Sequence, residues 1–515
     1  MEYIRMEGIK QNLIQKRLYQ TSIFEAIKNK NSLVVLPTGL GKTIIAILLI
    51  VHKIKKGKIL FLAPTKPLCE QHLKSIKKIT TIDNVAIVTG EIPPKKRKEV
   101  YDKNEIIIAT PQTIKNDLDK IERNKFSLII FDEAHRAVGN YAYVAIADAF
   151  HNAQILGLTA SPGSDYKKLK EVLINLHINH LEIRTENDAD VSPYIPKRWM
   201  RWVIMEMPSE IKLISKKIDL LLSHFLSELK RYTRQAEYLS PKKLSKKVLI
   251  DIQQRMQRDL GGRGGTLYTA ISIVSSAIKI AHLKDMLTSQ GIEAARKYIQ
   301  KLEIDDTKSA KKIRERKEYR QIRDAIFSFK KNPKLEATKK ALENHFKEHP
   351  NGKVIVFAEY RDTIDFLFSE LSKMEGIKAT KFIGQAKGSG NGMSQDKQKK
   401  TLDAFRQGKY NVLISTSIGE EGIDIPATSL VLFYEPVPSA IRFIQRKGRT
   451  ARDGLPGEVK ILIMKGSRDE AYYWSSKRKE KKMYEHIYRL KEEFGKEDKI
   501  KKMEGQTKLD VFASD

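Results

Sequence analysis

Between residues 33 and 162, short and nearly unbroken apolar runs alternate with longer stretches in which apolar positions recur every three or four residues. The runs are LVVLP (33–37), ILFLAP (59–64), VAIVTG (85–90), IIIATP (106–111), LIIFDE (128–133) and ILGLTA (155–160). Runs without polar alternation predict strands buried on both faces, and the intervening helical periods predict a parallel sheet covered on each side. A second series starts at VIVFAEY (354–360) and continues through NVLIST (411–416), LVLFYEP (430–436) and VKILIM (459–464). From about 200 to 330 the pattern changes to helices with almost no strand. Ile211, Ile214, Ile218, Leu221, Phe225 and Leu229 share one helical face, as do Leu267, Ile271, Val274, Ile278 and Ala281, with Gly291 as the predicted helix end. Ser240-Pro241 predicts a helix start, and GGRGG (261–265) a joint between helices. The fold class expected is α/β, with two parallel-sheet units over 1–195 and 333–470. An all-α insert over 196–332 separates them, and a charged C-terminal helix and tail over 471–515 follows.

A length of 515 residues suits about three domains. The net charge of +32, from 95 Lys and Arg against 63 Asp and Glu, points to a polyanionic partner. Nucleic acid comes first and an anionic membrane surface second. The insert is the densest part, with 28 basic and 15 acidic residues over 201–330, a net +13. A lone cysteine, Cys69, excludes an intrachain disulfide framework and a Cys-rich zinc site. TIIAILLIV (43–51) is too short to span a bilayer, and MEYIRMEGIKQ lacks the apolar core of a signal peptide. The expectation is an intracellular protein without a membrane partner.

LPTGLGKT (36–43) follows a predicted strand and opens an apolar helix, which is the setting of a phosphate-binding loop. Thr38, Gly39 and Gly41 shape a turn whose backbone N–H groups face phosphate oxygens. Lys42 supplies a charge for the β- and γ-phosphates, and Thr43 a hydroxyl for Mg²⁺. The strict pattern has Gly at position 36, where this chain has Leu. LIIFDEAH (128–135) puts Asp132 and Glu133 just past a buried strand, where ligands of open α/β sheets bind. There Asp132 would hold Mg²⁺ through water and Glu133 would orient and deprotonate the attacking water.

Taken in order, LPTGLGKT, APTKPL (63–68), TPQT (110–113), DEAH (132–135), TAS (159–161), TSIGEEGID (416–424) and QRKGRTAR (445–452) resemble the motifs of superfamily 2 helicases. RLYQ (17–20) resembles the adenine-reading Q motif, with Arg17 and Gln20 on the nucleotide. The resemblance implies two RecA-like motor domains and the cofactors ATP and Mg²⁺. It makes Arg449 and Arg452 arginine fingers from the second unit, places Gly422 and Asp424 near the ribose, and puts Gln445 at the γ-phosphate or its water. His135, Thr159 and Ser161 would couple ATP state to the relative position of the units. Thr65, Gly90, Thr110 and Thr416 would meet nucleic-acid phosphates, which position a strand without reading its sequence.

The basic insert, with LYTAISIVSSAIKIAHLKDMLTSQG (267–291), resembles that of the archaeal Hef helicases and their eukaryotic relative FANCM; Dicer and the innate-immune RNA-sensor helicases carry a related insert. The match implies the Hef helicase part without its nuclease domain, acting on forked or branched DNA, with the insert gripping the duplex like a thumb. Lys242, Lys243, Lys246, Lys247, Arg255 and Arg258 are the candidate phosphate contacts, and a solvated helix face is the alternative for each. In KRWMRW (197–202), Trp199 or Trp202 either stacks on a base or pins a linker to a core, and pinning is the preferred reading. QTKLDVFA (506–513) resembles a sliding-clamp-binding peptide with Gln506, Leu509 and Phe512 as anchors, and an unstructured tail is the equal alternative. HINH (177–180) is read as structural. The function expected is an ATP-dependent DNA helicase or translocase in repair and stalled-fork processing. The rivals are a duplex-RNA-activated ATPase and a non-catalytic scaffold bridging clamp and junction.

Overall fold

The computed structural model describes residues 2–234, 236, 239–240, 244, 246–258, 266–385, 392–419, 425–451 and 454–511, with side chains as far as Glu493. The strands are β1 (Ser32–Val35), β2 (Lys58–Leu62), β3 (Val85–Val88), β4 (Ile106–Ala109), β5 (Phe126–Asp132), β6 (Gln154–Thr159), β7 (His180–Ile183), β8 (Arg198–Met205), β9 (Val354–Phe357), β10 (Ala379–Phe382), β11 (Val412–Ser415), β12 (Leu430–Phe433) and β13 (Gly457–Met464). They form two wholly parallel sheets, ordered β3-β4-β2-β5-β6-β1-β7 and β10-β11-β9-β12-β13-β8. The expected α/β class with a helical region between two parallel sheets is what the structure has.

In the first sheet, β5 lies between β2 and β6, with Ile129 opposite Leu60 and Ile155. Both faces of that sheet are covered, so every residue of β1 and β4 is buried. The helix Lys42–Lys53 behind the phosphate loop is buried from Ile45 to Val51. Such all-round burial explains why the sequence there shows an apolar run rather than a stripe.

Three strands were not anticipated, and all are edge strands: β7, β8 and β10. Burial is interrupted in β10 and most of all in β8, where exposed and half-buried positions mix along the strand, whereas β7 is buried except at His180. Residues 198–205 therefore do not open the helical insert. They run parallel to β13, from Arg198 opposite Gly457 to Met205 opposite Met464, and complete the second sheet. The boundary at 196 is corrected accordingly, and the helical part begins with Ser209–Lys230.

All six residues expected on the inner face of Ser209–Lys230 are buried. The helix Thr266–Asp285 departs from its expected stripe. Its buried positions are Ala270, Ile273, Val274, Ser276, Ala277, Ile280, Ala281 and Leu283, while Leu267, Ile271 and Ile278 are only partly covered. Neighbours on several sides replace the single face that a surface helix would have. Thr266–Gln290 is long and apolar enough to cross a membrane, yet its side chains are the core of the insert. A π-helical turn, Met286–Gln290, closes it, and Gly291 follows at φ 101°, where a Cβ would lie 2.9 Å from Asn332 Nδ2. The expected Ser240-Pro241 helix start and the GGRGG joint involve positions outside the described residues; the next helix is Lys246–Arg258.

The insert, the second sheet and the C-terminal helix (Arg468–Val511) meet at one buried polar joint. Lys334 and Asp469 are each 1% exposed and pair at 2.7 Å. The same ammonium donates to Ser289 O of the π turn (2.6 Å) and to Tyr434 O after β12 (2.9 Å), which uses its three N–H donors. Tyr434 Oη donates to Gln290 O, and Thr363 Oγ1 donates to Gln290 Oε1. Beside them Glu435 is fully buried. Burial pushes its carboxyl up to about 7 against the pull of Arg446 and Lys334, with Glu359 and Asp469 adding to the rise.

Removing one partner of a buried ion pair strands the other charge. Lys334→Met should therefore lower the unfolding free energy by about 3–5 kcal/mol in urea titration. Adding Asp469→Asn should recover most of the loss, and equal losses in the single and double variants would refute the pairing. Glu435 acts in the opposite sense to an ordinary surface carboxylate. The folded state holds its proton more tightly than the unfolded chain, so its contribution is complete below pH 4.5 and lost as pH rises through about 7. Glu435→Gln should match wild type in thermal unfolding at pH 4.5 and exceed it at pH 8 by up to about 3 kcal/mol.

Candidate functional site: a cleft between the two sheets

Parallel strands deliver their following loops to one edge, and the expected site residues lie there. The loop after β1 carries Gly39 and Gly41 at φ 84° and 79°, backbone that only glycine adopts without strain. A Cβ on Gly41 would also sit 2.4 Å from Gln20 Nε2. Gln20 and Tyr19 project from the helix Leu18–Ile27 and donate to Leu40 O at 3.1 and 2.7 Å, fastening that helix to the loop. Arg17 lies 5.2 Å over the ring of Tyr194, a residue that no motif announced. Lys42 Nζ donates to Leu36 O (3.1 Å), and Thr43 follows it in the first turn of Lys42–Lys53.

At the end of β5, Asp132 is 7% exposed. Its Oδ1 accepts the Glu133 N–H (3.1 Å) and its Oδ2 pairs with His72 Nε2 (2.9 Å). Burial pushes this carboxyl up, but the His72 imidazole, the Lys42 charge and the Glu133 N–H together hold it below its ordinary value. Glu133 adopts φ 51°, an uncommon conformation outside glycine, and starts the turn Ala134–Arg136. Its Oε2 is 3.3 Å from His135 Nδ1. That nitrogen is 3.1 Å from Thr159 Oγ1, which in turn accepts the Ser161 N–H. The DEAH turn and the loop after β6 are therefore joined through His135, Thr159 and Ser161. The hydroxyl of Thr43 and the Asp132 carboxylate are hard oxygen donors and fit Mg²⁺ rather than a softer metal.

The second sheet reaches the same cleft through the helix Ala440–Lys447. Gln445 and Arg449 are 5% and 6% exposed, and Ile444 packs into the core of the first sheet. Gly448 meets the phosphate loop so closely that a Cβ there would lie 1.9 Å from Thr38 Oγ1. Around this contact Glu186 accepts from Arg198 Nη1 (2.7 Å) and lies 3.3 Å from Lys447 Nζ. Burial raises the Glu186 carboxyl, but Lys447 and Arg198 outweigh it and leave its pKa lowered. Arg17, Thr38, Gly39, Tyr194, Arg198 and Ala451 line the cavity between the sheets. Gly422, Asp424 and Arg452 lie outside the described residues.

Thr65, Gly90 and Thr110 follow β2, β3 and β4, and Thr416 follows β11. Gly90 is exposed, and nothing lies within 4 Å of the Cβ position there. Thr110 Oγ1 is engaged with Thr113 Oγ1 at 2.8 Å. In the insert, Leu249, Ile252 and Met256 form the inner face of Lys246–Arg258, while Lys247, Arg255 and Arg258 are exposed. Lys246 differs from them: it is half-buried against the joint, where burial lowers its pKa and Asp285 and Glu359 oppose that shift. It therefore does not belong to the outward row. Lys242 and Lys243 lie outside the described residues.

Neither tryptophan of β8 is buried as a linker pin. Trp199 is 51% exposed, and Trp202, 45% exposed, packs on Tyr473 with Lys477 5.3 Å over its ring. His177 and His180 pair with different carboxylates, Asp148 at 3.0 Å and Glu182 at 3.1 Å. Gln506 and Leu509 fall in the C-terminal helix beyond the described side chains, and Phe512 lies outside the described residues.

Residues 12–164, which carry six of the seven strands of the first sheet, match the family model described as type III restriction enzyme, res subunit, and residues 333–454 match the helicase conserved C-terminal domain. A Methanocaldococcus jannaschii protein with the provisional name ATP-dependent RNA helicase is 42% identical over 490 residues, covering 93% of this chain and 62% of that protein. The ATP-dependent DNA helicase mph1 of Neurospora crassa is 34% identical over 495 residues, covering 90% of this chain and 42% of its own length. The chain thus spans about two fifths to three fifths of these relatives. The crystal structure of the Pyrococcus furiosus Hef helicase domain superposes with a TM-score of 0.69 at 41% identity, covering 91% of this chain and all of that one. With both sheets, the insert and the cleft matched over that whole domain, the chain belongs to the Hef helicase family.

Proposed function

We propose that this chain is an ATP- and Mg²⁺-dependent DNA helicase or translocase that acts, inside the cell, on forked or branched DNA in repair and stalled-fork processing. The observation that carries the reading is the contact of Thr38 with Gly448, which makes one nucleotide cleft out of loops from two sheets. In that cleft Arg17 and Gln20 take the base, and Thr38, Gly39, Gly41 and Lys42 the phosphates. Thr43 and Asp132 hold Mg²⁺, which when bound offsets the charge of the phosphates. Glu133 orients and deprotonates the attacking water, while Gln445, Arg449 and Arg452 come from the facing sheet, with Gly422 and Asp424 at the ribose. An arginine finger is worth about 10³–10⁵ in rate in the GTPase case. Hydrolysis therefore requires the closed cleft, and release of the product relaxes it. The chain His135–Thr159–Ser161 carries that change to the loop after β6.

Nucleic acid would run over Thr65, Gly90, Thr110 and Thr416. Duplex would lie against the outward row of the insert, with Lys247, Arg255 and Arg258 as its described members; Lys242 and Lys243 remain candidates from the sequence alone. DNA as substrate is supported by the Neurospora crassa relative and by the ATP-dependent DNA helicase fml1 of Schizosaccharomyces pombe, 32% identical over 486 residues. The name of the Methanocaldococcus jannaschii protein favours the RNA reading as the alternative. A sliding-clamp contact through Gln506, Leu509 and Phe512 rests on the sequence motif alone.

ATPase activity measured across forks, four-way junctions, linear duplex DNA and duplex RNA decides between the two substrates. Stimulation by forks and junctions but not duplex RNA is expected, and the reverse overturns the DNA reading. Lys42→Ala or Glu133→Gln should reduce turnover by at least about 100-fold while DNA binding stays near wild type. Fork remodelling that survived either change would leave the scaffold reading in place. Gly448→Ala should separate Thr38 from the finger helix, and an ångström of misplacement costs about 100-fold in such sites. A loss in kcat with unchanged thermal unfolding is expected, and an unchanged kcat would show that closure at this contact is not needed.

A further inference from the structure

No motif points to the partner that fixes the Asp132 carboxylate. His72 sits on the helix Lys66–Ile79, six residues beyond Lys66 and 60 residues before the acid it meets. The ring is 4% exposed and lies against Phe61 with centroids 4.2 Å apart and an interplanar angle of 35°. A carboxylate oxygen accepts, so the 2.9 Å contact is a hydrogen bond when Nε2 carries the N–H that Oδ2 receives. The other nitrogen, Nδ1, is buried and has no hydrogen-bond partner among the described residues. A buried polar ring with one of its two nitrogens unserved is costly to keep. A purely structural site would be better filled by a leucine or phenylalanine.

The geometry explains what the ring does. Asp132 has one oxygen fixed by the backbone N–H of its neighbour and the other by His72. Each oxygen, with one partner, keeps a lone-pair direction for a further ligand. Lys42 is close enough for its charge to lower the Asp132 carboxyl. Without the imidazole, Oδ2 loses the donor that fixes it and the carboxylate is free to turn away from the Mg²⁺ position, while Lys42 stays with the phosphates. Tyr143 Oη donates to Asp132 O (2.6 Å) and holds the backbone, not the carboxylate, so it does not replace His72.

We propose that His72 is a positioning residue for Mg²⁺-nucleotide binding, orienting the Asp132 carboxylate through its Nε2–H. The inference rests on the nucleotide reading of the cleft. Hydrogen-bond partners of ligating groups are typically worth about 10–100-fold in metal affinity. His72→Leu fills the volume without a donor, whereas His72→Gln keeps an N–H on a side chain of similar length.

The test is binding of a fluorescent ADP analogue to the full chain, with Mg²⁺ titrated from EDTA upward. For His72→Leu the Mg²⁺ concentration at half-effect should rise about 10–100-fold while affinity in EDTA stays at the wild-type value, and His72→Gln should recover a large part of the shift. Three results overturn the proposal: no shift for His72→Leu, an equal shift for His72→Gln, or a parallel loss of affinity in EDTA for both variants. Wild-type protein showing no Mg²⁺-dependent nucleotide binding would instead remove the nucleotide reading itself, and the proposal with it.

Discussion

One buried ammonium holds the parts of this molecule in place. Lys334 has three donors and three acceptors, taken from the C-terminal helix, the π turn of the insert and the loop after β12. A cation stripped of water tolerates no vacant donor, so the three segments are fixed together or not at all. From that joint the C-terminal helix runs outward. Its Tyr473 packs with the second sheet, and its Met483, Ile487 and Leu490 pack into the core of the first. Tyr166 Oη donates to Glu493 of the same helix. The sheets are thus linked by a strap anchored at the insert, and the insert cannot shift relative to the second sheet without disturbing that anchor.

The cleft inherits this constraint. Thr38 and Gly448 approach too closely for any side chain at 448, and Glu186 bridges Arg198 on β8 to Lys447 beside the finger helix. Lys447 also lies 3.9 Å from Glu480 of the C-terminal helix. Closing the cleft therefore brings together charges from the linker, the edge strand, the finger helix and the strap. Each pair is partly desolvated and more strongly coupled than a surface pair. Opening the cleft exposes those charges to water, which replaces much of the lost interaction. A motor needs such a balance, because neither state is then deeply favoured before a nucleotide enters.

Central strands were legible because burial on both faces writes an unbroken apolar run into the sequence. The strands β7, β8 and β10 were not, because polar residues break their apolar runs: His180 and Glu182 in β7, Arg198 and Arg201 in β8, Thr380 and Lys381 in β10. RWMRWVIM looked like a linker with aromatic anchors for that reason, though it closes the second sheet. At the site, the phosphate loop and the DEAH turn were legible as local strings, since a nucleotide constrains consecutive residues. His72, Tyr194 and Glu186 were not, because each acts through a contact across many residues and leaves no local pattern. The same limit applied to Lys246: its charge suggested a phosphate contact, but its place on the helix turns it toward Asp285 and Glu359.

In the proposed function, charge position, rather than total charge, would decide how nucleic acid and ATP influence one another. Several basic residues contribute nothing to an outer field: Lys334 and Arg446 are fully buried, and Arg468 lies between Asp285, Glu359 and the Tyr472 ring. These cations occupy the joints between the insert, the second sheet and the strap. Lys247, Arg255 and Arg258 face outward from a helix whose other side is the core of the insert. That row lies on solvent, where salt weakens the pull of a bound polyanion on more distant charges. In the proposed function, duplex bound there would act on the joint through packing, by pressing Lys246–Arg258 against Thr266–Asp285, the helix that ends at the π turn beside Lys334. Coupling between duplex binding and the nucleotide cleft, as proposed, would then pass through packing and a few buried ion pairs, which have discrete arrangements rather than a continuous range.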